Sequence, residues 1–361
     1  MTPAAIITVI SAYFAVILFI SWFTGRKSDN AGFFTGNRKS PWYLVAIAMI
    51  GSAMSGVTFV SVPGMVATSG FGYMQMALGF IAGQIVIAFV LIPLFYRMNL
   101  VSIYGYLENR FGLSSYRTGA WFFFISKMLG ASVRLYLVCI ALQMMVFGPL
   151  GLPFIVNVAV TVLILIAYTF RGGVKAVIWI DFLKTFCMIV SIALCTIFIS
   201  KSLGFTFGSM CEAVAGSDMS RIFYFDDPDH PQYFFKQFFG GMFTLIAMTG
   251  LDQDMMQRSL TCKNFRDSQK NIITSALLQT VVIFLFLTLG VLLYFFAGAN
   301  GIDATGDTLF PAVATSGLLP AVVGIVFVVG LVSCSYAAGG SALTALTTSF
   351  TVDILGTAGK S

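Results

Sequence analysis

The chain has 361 residues, of which 58% are hydrophobic and 9% are charged, and its formal net charge is +6. Soluble domains carry about 25% charged residues, so this composition excludes a soluble domain and indicates an integral protein of the lipid bilayer. Six scattered cysteines without a CxxC pair and a single histidine exclude a disulfide framework and a histidine-based metal centre. The basic residues lie between apolar segments, as membrane topology favours, so no nucleic-acid partner is expected.

Nine apolar segments are long enough to cross a bilayer, whose hydrocarbon core requires about 20 residues of helix. They lie at roughly 5–24, 43–69, 73–96, 117–148, 152–169, 174–201, 235–257, 268–298 and 317–352. A shorter segment, 102–111, is expected to form an interfacial helix. The sequence therefore predicts an all-α polytopic membrane protein with about nine transmembrane helices.

The charges between these segments predict the orientation. Lysine and arginine are concentrated in the first, third, fifth and seventh connections, whereas the sixth and eighth connections are acidic. Cytoplasmic loops carry the excess of basic residues, so the N-terminus is predicted outside and the C-terminus in the cytoplasm. The first segment has no charged n-region and is expected to be an uncleaved anchor. We expect the protein to lie in the plasma (inner) membrane of a bacterium.

The second segment is the most irregular. Its sequence, "IGSAMSGVTFVSVPGMVATSG" (50–70), contains four glycines, one proline and six serines or threonines. Glycine and proline weaken a helix, and a broken helix near the midplane is the usual site architecture of secondary transporters. We predict such a break here; the alternative is a helix that is only kinked.

Charged residues inside the segments are few. Asp181 is the one carboxylate deep in a span, and Lys184 lies three residues later, on the same helix face. An intramembrane charge is costly unless paired. The pair therefore predicts either a mutually neutralising ion pair or a site for a cation or proton.

The end of the seventh segment carries a polar cluster. It contains Asp252, Gln253, Asp254, Gln257 and Arg258. We interpret the cluster as a cytoplasmic gate, and the alternative is a solvated helix cap.

No catalytic residues accompany these charges. The chain has no HExxH, GxSxG or P-loop motif. His230 lies in a loop, and Asp181 has no partner carboxylate at its depth. We therefore predict that the chain is not an enzyme.

Six collinear motifs resemble those of the sodium:solute symporter family. They are "SGVTFVSVPG" (55–64), "SIYGYLENRFG" (102–112), "GGVKAVIWIDFLK" (172–184), "GLDQDMMQR" (250–258), "FP" (310–311) and "SALTALTTSFTVDIL" (341–355). The resemblance implies one transmembrane domain over 1–361 with a LeuT-type core of inverted repeats. An extra helix (5–24) would precede a first repeat (43–201) and a partial second repeat (235–352). Because family members continue with further core helices, we expect a fragment or a naturally short protein.

The resemblance also implies an ion site. A sodium ion would lie between the break of the second span and the ninth span, bound by the carbonyls of Gly51, Met54 and Cys334. The two hydroxyl positions that complete the family's site fall on Ala337 and Ala338, which have no side-chain oxygen. No other metal or cofactor is expected.

A lysine near this site offers a replacement for the ion. We hypothesise that the Lys184 ammonium occupies the place of sodium, bound by Asp181 and the carbonyls of the second span. Coupling would then pass to protons or be lost, because a buried lysine changes its pKa readily.

The resemblance implies secondary transport by alternating access. Candidate residues of the solute region are Ser55, Thr58, Gln75 and Thr249. Their low charge favours a small polar organic solute that is neutral or weakly acidic. The alternative function is a non-transporting membrane sensor or regulatory subunit that keeps the symporter fold.

Overall fold

The computed structural model describes residues 3–25, 38–100, 102–143, 147–148, 150–170 and 173–356, and no strand occurs among them. The helices are α1 Pro3–Gly25, α2 Trp42–Ala53, α3 Gly56–Gly64, α4 Val66–Ser69, α5 Tyr73–Val86, α6 Ile92–Arg97, α7 Gly105–Phe111, α8 Leu113–Leu142, α9 Phe154–Thr169, α10 Gly173–Ser202, α11 Phe207–Ala215, α12 Phe234–Leu245, α13 Gln253–Ser259, α14 Phe265–Asn300, α15 Leu309–Thr315 and α16 Ala321–Thr348. In the described part of the chain, the π-helical segments Ile87–Leu91, Ile246–Gly250 and Ser349–Ile354 follow α5, α12 and α16 respectively. The predicted all-α fold is confirmed.

Five helices in the described part of the chain are long and apolar enough to cross a membrane, and two bent helix pairs raise this number to seven. The helix α9 is apolar but has only 16 residues. An integral membrane protein is therefore confirmed. The count of nine spans and the outside N-terminus remain predictions.

The first bent pair consists of α2 and α3, which are inclined by 68°. The break that the glycines predict is present, and it lies at Met54 and Ser55, both of which have extended backbone. Pro63 lies inside α3 and does not cause it. The second span is thus two half-helices joined by two extended residues.

The second bent pair was not predicted. The helix α12 and its π segment are inclined by 74° to α13, so the seventh segment predicted over 235–257 is broken at Leu251 and Asp252. Asp252 is extended at the break, and its carboxylate caps α13 by accepting a hydrogen bond of 3.1 Å from the Met255 amide. An aspartate at this position is a strong helix N-cap, and in the sequence it stands within the polar cluster at the end of the segment.

Close packing holds the two half-helices of the second span in place. The backbone of α2 approaches α10 so closely that a Cβ on Gly51 would lie 2.5 Å from Thr185 Oγ1 and 2.7 Å from the Asp181 carbonyl. On the other side of the break, Phe59 packs against Phe286 and Phe310, with ring centroids 5.6 and 5.3 Å apart. The break is therefore enclosed on both sides by helices of the core.

Candidate functional site

The first break presents a backbone carbonyl to a buried cation. The last carbonyls of a helix have no partner within it, and at Met54 the chain has left the helix α2. The Lys184 ammonium, on α10, donates to the Met54 carbonyl over 2.7 Å, and the lysine side chain is fully buried. A cation of the protein thus lies at a carbonyl that the family resemblance assigns to sodium.

The hydroxyls beside this break bind each other. The Thr58 amide donates to Ser55 Oγ over 3.3 Å, and the Ser55 amide donates to Thr58 Oγ1 over 3.2 Å. This reciprocal arrangement is a capping box, and it starts α3. The two solute-region candidates Ser55 and Thr58 therefore have a structural role at the break.

The carboxylate of Asp181 has a different partner from the predicted one. Its Oδ2 atom accepts from Ser52 Oγ at 2.8 Å and lies 3.2 Å from Arg258 Nε. Asp181 and Lys184 are both described, and no ion pair within 4.0 Å joins them, so the predicted direct pair is wrong. Lys184 instead turns toward the break. The second Asp181 oxygen, Oδ1, is buried without a hydrogen-bond partner in the described structure.

The second break is surrounded by charges. Lys127 Nζ, from α8, lies 2.7 Å from Asp254 Oδ2 and 3.2 Å from Asp252 Oδ2. Arg258 Nη2 lies 2.8 Å from Asp254 Oδ1, and Arg258 is 1% exposed. Ser341 Oγ, from α16, donates to Asp254 over 2.8 Å. The alternative of a solvated helix cap fits only Asp252, which caps α13 and is half-buried, since the other four residues of the cluster are buried between helices.

Sequence reasoning missed Lys127 and Ser341. Their partners are 125 and 87 residues away in the chain, and a lysine in an apolar span is expected to reach the membrane surface. The signal that could have found Lys127 is the excess of carboxylates in the segment from Asp252 to Arg258, which needs a second cation nearby.

The remaining cluster residues bind the loop before α7 and the end of α16. Gln253 Oε1 accepts from the Ile103 amide at 2.9 Å, and Gln257 Nε2 donates to Thr348 Oγ1 over 2.9 Å. In the same loop, Tyr104 donates to the Leu251 carbonyl over 3.3 Å. Burial, aided by nearby carboxylates, raises the pKa of the Tyr104 phenol well above its usual range, so the phenol remains a donor.

A cavity of about 540 Å³ opens between α8 and the second break. Its polar lining consists of Tyr104, Ser126, Lys127, Arg134 and Asp252. Lys127 is already paired with carboxylates, whereas Arg134 forms no ion pair among the described residues. The cavity can therefore receive a negatively charged group.

The other predicted site residues lie elsewhere. Gln75 and Thr249 are buried and do not line the cavity. Gly51 is buried beside the first break. Cys334 is buried in α16. Ala337 and Ala338 belong to α16, but their side chains lie outside the described part of the structure.

The sequence model of the sodium:solute symporter family matches residues 33–355. The chain belongs to this family. A solved structure of a Na⁺-coupled sialic acid symporter in a substrate-bound outward-open state superposes with a TM-score of 0.85. The match has 20% sequence identity and covers 97% of this chain and 75% of that chain. The predicted family and its LeuT-like fold are thereby confirmed.

Curated relatives of this family member are named as transporters, in agreement with the prediction that the chain is not an enzyme. The human sodium/iodide cotransporter is 26% identical over 75% of this chain and 43% of its own length. The sodium/sialic acid symporter NanT of Aliivibrio fischeri is 25% identical over 95% of this chain and 68% of its own length. Human sodium-coupled monocarboxylate transporter 2 is 26% identical over 82% of this chain and 50% of its own length. The chain thus spans about half to two thirds of these relatives.

Proposed function

We propose that this family member belongs to a secondary transporter that moves a small organic anion across the plasma membrane of a bacterium. The observation that carries the proposal is the cavity beside the second break, where the Arg134 guanidinium has no ion-pair partner among the described residues. A guanidinium without a carboxylate partner favours an anionic ligand. The relatives named for iodide, sialic acid and monocarboxylates all act on anions, which supports the same class. The division into repeats at 43–201 and 235–352 is part of this proposal.

The coupling ion is the second part of the proposal. Lys184 replaces the sodium ion of the family, because its ammonium lies 2.7 Å from the Met54 carbonyl and supplies the positive charge at the break. A sodium ion at the same carbonyl would be repelled by this charge, and Ala337 and Ala338 supply no hydroxyl oxygen. Transport would then be driven by protons or by the solute gradient alone.

Uptake into proteoliposomes tests both parts. The full-length protein is supplied with radiolabelled monocarboxylates, sialic acid and matched neutral solutes, with a sodium gradient, a proton gradient or neither. We expect uptake of an anionic solute at equal rates with and without sodium. Arg134→Gln should weaken the uptake of the anion more than that of its neutral analogue.

The outcomes separate the two parts. A saturable dependence on sodium in the unaltered protein would show that Lys184 does not replace the ion. Uptake of neutral solutes only would contradict the anion class. If no solute in the panel crosses the membrane, the alternative of a non-transporting sensor is favoured.

A further inference from the structure

The segment between α11 and α12, residues 217–233, lies across the turn that joins the first broken span to α5. We call this segment the strap. Gln75, in the first turn of α5, binds it with both ends of its amide. Its Nε2 donates to the Gln232 carbonyl over 2.8 Å, and its Oε1 accepts from the Tyr224 amide over 3.0 Å. Because Gln75 is fully buried, its hydrogen bonds to the strap replace those it would make with water.

The turn beneath the strap is shaped to receive it. The Phe71 amide donates to the Arg221 carbonyl over 2.9 Å. Gly70 has a φ of +54°, and a Cβ at this position would lie 2.8 Å from Tyr224 Oη. A Cβ at Gly72 would lie 2.7 Å from Gln232 Oε1. Side chains larger than hydrogen would therefore displace the strap from the turn.

The single histidine of the chain holds together the two strap residues that bind Gln75. His230 Nδ1 accepts from the Gln232 amide over 3.0 Å. The imidazole also stacks on the Tyr224 ring, with centroids 5.3 Å apart and an interplanar angle of 6°. A ring nitrogen that accepts a hydrogen bond carries no proton, so this arrangement requires the neutral imidazole.

We propose that the strap is a pH-sensitive lid over the end of the first broken span, closed when His230 is neutral and loosened when it is protonated. Protonation turns Nδ1 from an acceptor into a donor, which removes the hydrogen bond to the Gln232 amide. The Gln232 carbonyl is then no longer fixed in position to accept from Gln75 Nε2. Histidine is the side chain whose charge ordinarily changes between pH 5 and 8.

Acidic residues precede His230 in the sequence. The Asp227 carbonyl accepts a hydrogen bond of 3.2 Å from the His230 amide, and Asp229 immediately precedes the histidine in the chain. Arg221 lies 4.5 Å from the Tyr224 ring centroid and pairs with Asp226. The other titratable groups of the strap and of the elements packed against it are Asp218, Tyr233, Tyr73 of α5, Cys211 and Glu212 of α11 and Lys236 of α12. The charged residues next to His230 in the strap are therefore the carboxylates of Asp227 and Asp229, whereas α4 and α5 contribute no charged side chain.

Backbone amide exchange in the full chain, reconstituted in lipid nanodiscs, tests this proposal. The exchange of the Tyr224 and Gln232 amides is measured at pH 7.5 and pH 5 in the unaltered protein and in His230→Asn. Asparagine accepts from the amide two residues later without titrating, so each comparison at one pH cancels the intrinsic effect of pH on exchange. We expect equal protection at pH 7.5. At pH 5 the Gln232 amide of the unaltered protein should exchange about fivefold faster than that of His230→Asn. This factor corresponds to the loss of one ordinary hydrogen bond.

Equal exchange of the two proteins at pH 5 would overturn the proposal. Gln75→Leu adds a second readout, because it should expose the Tyr224 amide at both pH values. Continued protection of that amide would show that Gln75 does not hold the strap. If this buried substitution disrupts folding, the comparison with His230→Asn decides alone, since His230 lies in a half-buried loop. The readout is independent of transport, so it does not depend on the proposed solute.

Discussion

The two breaks in the helices are held by different chemistry. At the first break, the backbone is extended at Met54 and Ser55, and a carbonyl meets one buried ammonium. At the second break, two carboxylates, Asp252 and Asp254, are held by cations from α8 and α13. The first break is therefore stabilised by backbone, capping and close packing, whereas the second is stabilised mainly by charge. Variants that remove charge should affect the second break most, and variants that change volume or caps should affect the first.

Arg258→Met is expected to have the largest effect. It leaves two buried carboxylates, Asp181 and Asp254, without the guanidinium that faces both. Removing one partner of a buried ion pair costs about 3–5 kcal/mol. The free energy of unfolding, measured in mixed micelles of a mild detergent and dodecyl sulfate, should fall by this amount. Arg221→Met is the matched control, because the Arg221–Asp226 pair is exposed and should contribute little. Similar losses in the two variants would contradict a charge-stabilised second break.

Gly51→Ala tests the packing of the first break. The added Cβ would lie within 2.7 Å of Thr185 Oγ1 and the Asp181 carbonyl. Overpacking of this kind costs about 1–3 kcal/mol. Gly240→Ala on α12 is the control, since no atom lies within 4 Å of its added Cβ. The same unfolding measurement should show a loss for the first variant and no loss for the second. A tolerated alanine at Gly51 would mean that α2 is not fixed against α10.

A double-mutant cycle on Lys127 and Asp252 tests how the second break is bound to α8. Lys127→Met alone leaves Asp252 and Asp254 close together without the ammonium between them. Adding Asp252→Asn removes one of these charges and should recover part of the loss. We expect a coupling free energy of about 1–2 kcal/mol from the unfolding measurements, within the range found for contacting residues. Additive losses would show that Lys127 acts on Asp254 alone.

The first break and the helical fold could be predicted from the sequence, whereas the second break and the contact of Lys127 with it could not. The glycines around Met54 weaken a helix wherever they occur, so their effect is local and readable. Asp252 is also a local signal, but its neighbours from 250 to 258 resemble the polar end of a span. Lys127 and Ser341 enter the site through contacts distant in sequence. Gln75 has a polar side chain of the kind that could bind a solute, and only the three-dimensional structure shows that it binds the strap.

Ser55→Ala has the smallest expected effect, and it examines the capping of the first break most directly. The variant removes the oxygen that accepts from the Thr58 amide, so the first turn of α3 loses one of its few partners. The loss of such a cap costs about 1 kcal/mol. Thr206→Ala is a close control, because Thr206 and Ser209 form the same capping box at the exposed start of α11. An amide exposed to solvent can bind water instead, whereas an amide in the dry core of a membrane cannot. A larger loss for Ser55→Ala than for Thr206→Ala would locate the first break in a water-poor environment. Equal losses would indicate that water reaches the break, which is the condition expected if an ion or solute approaches it.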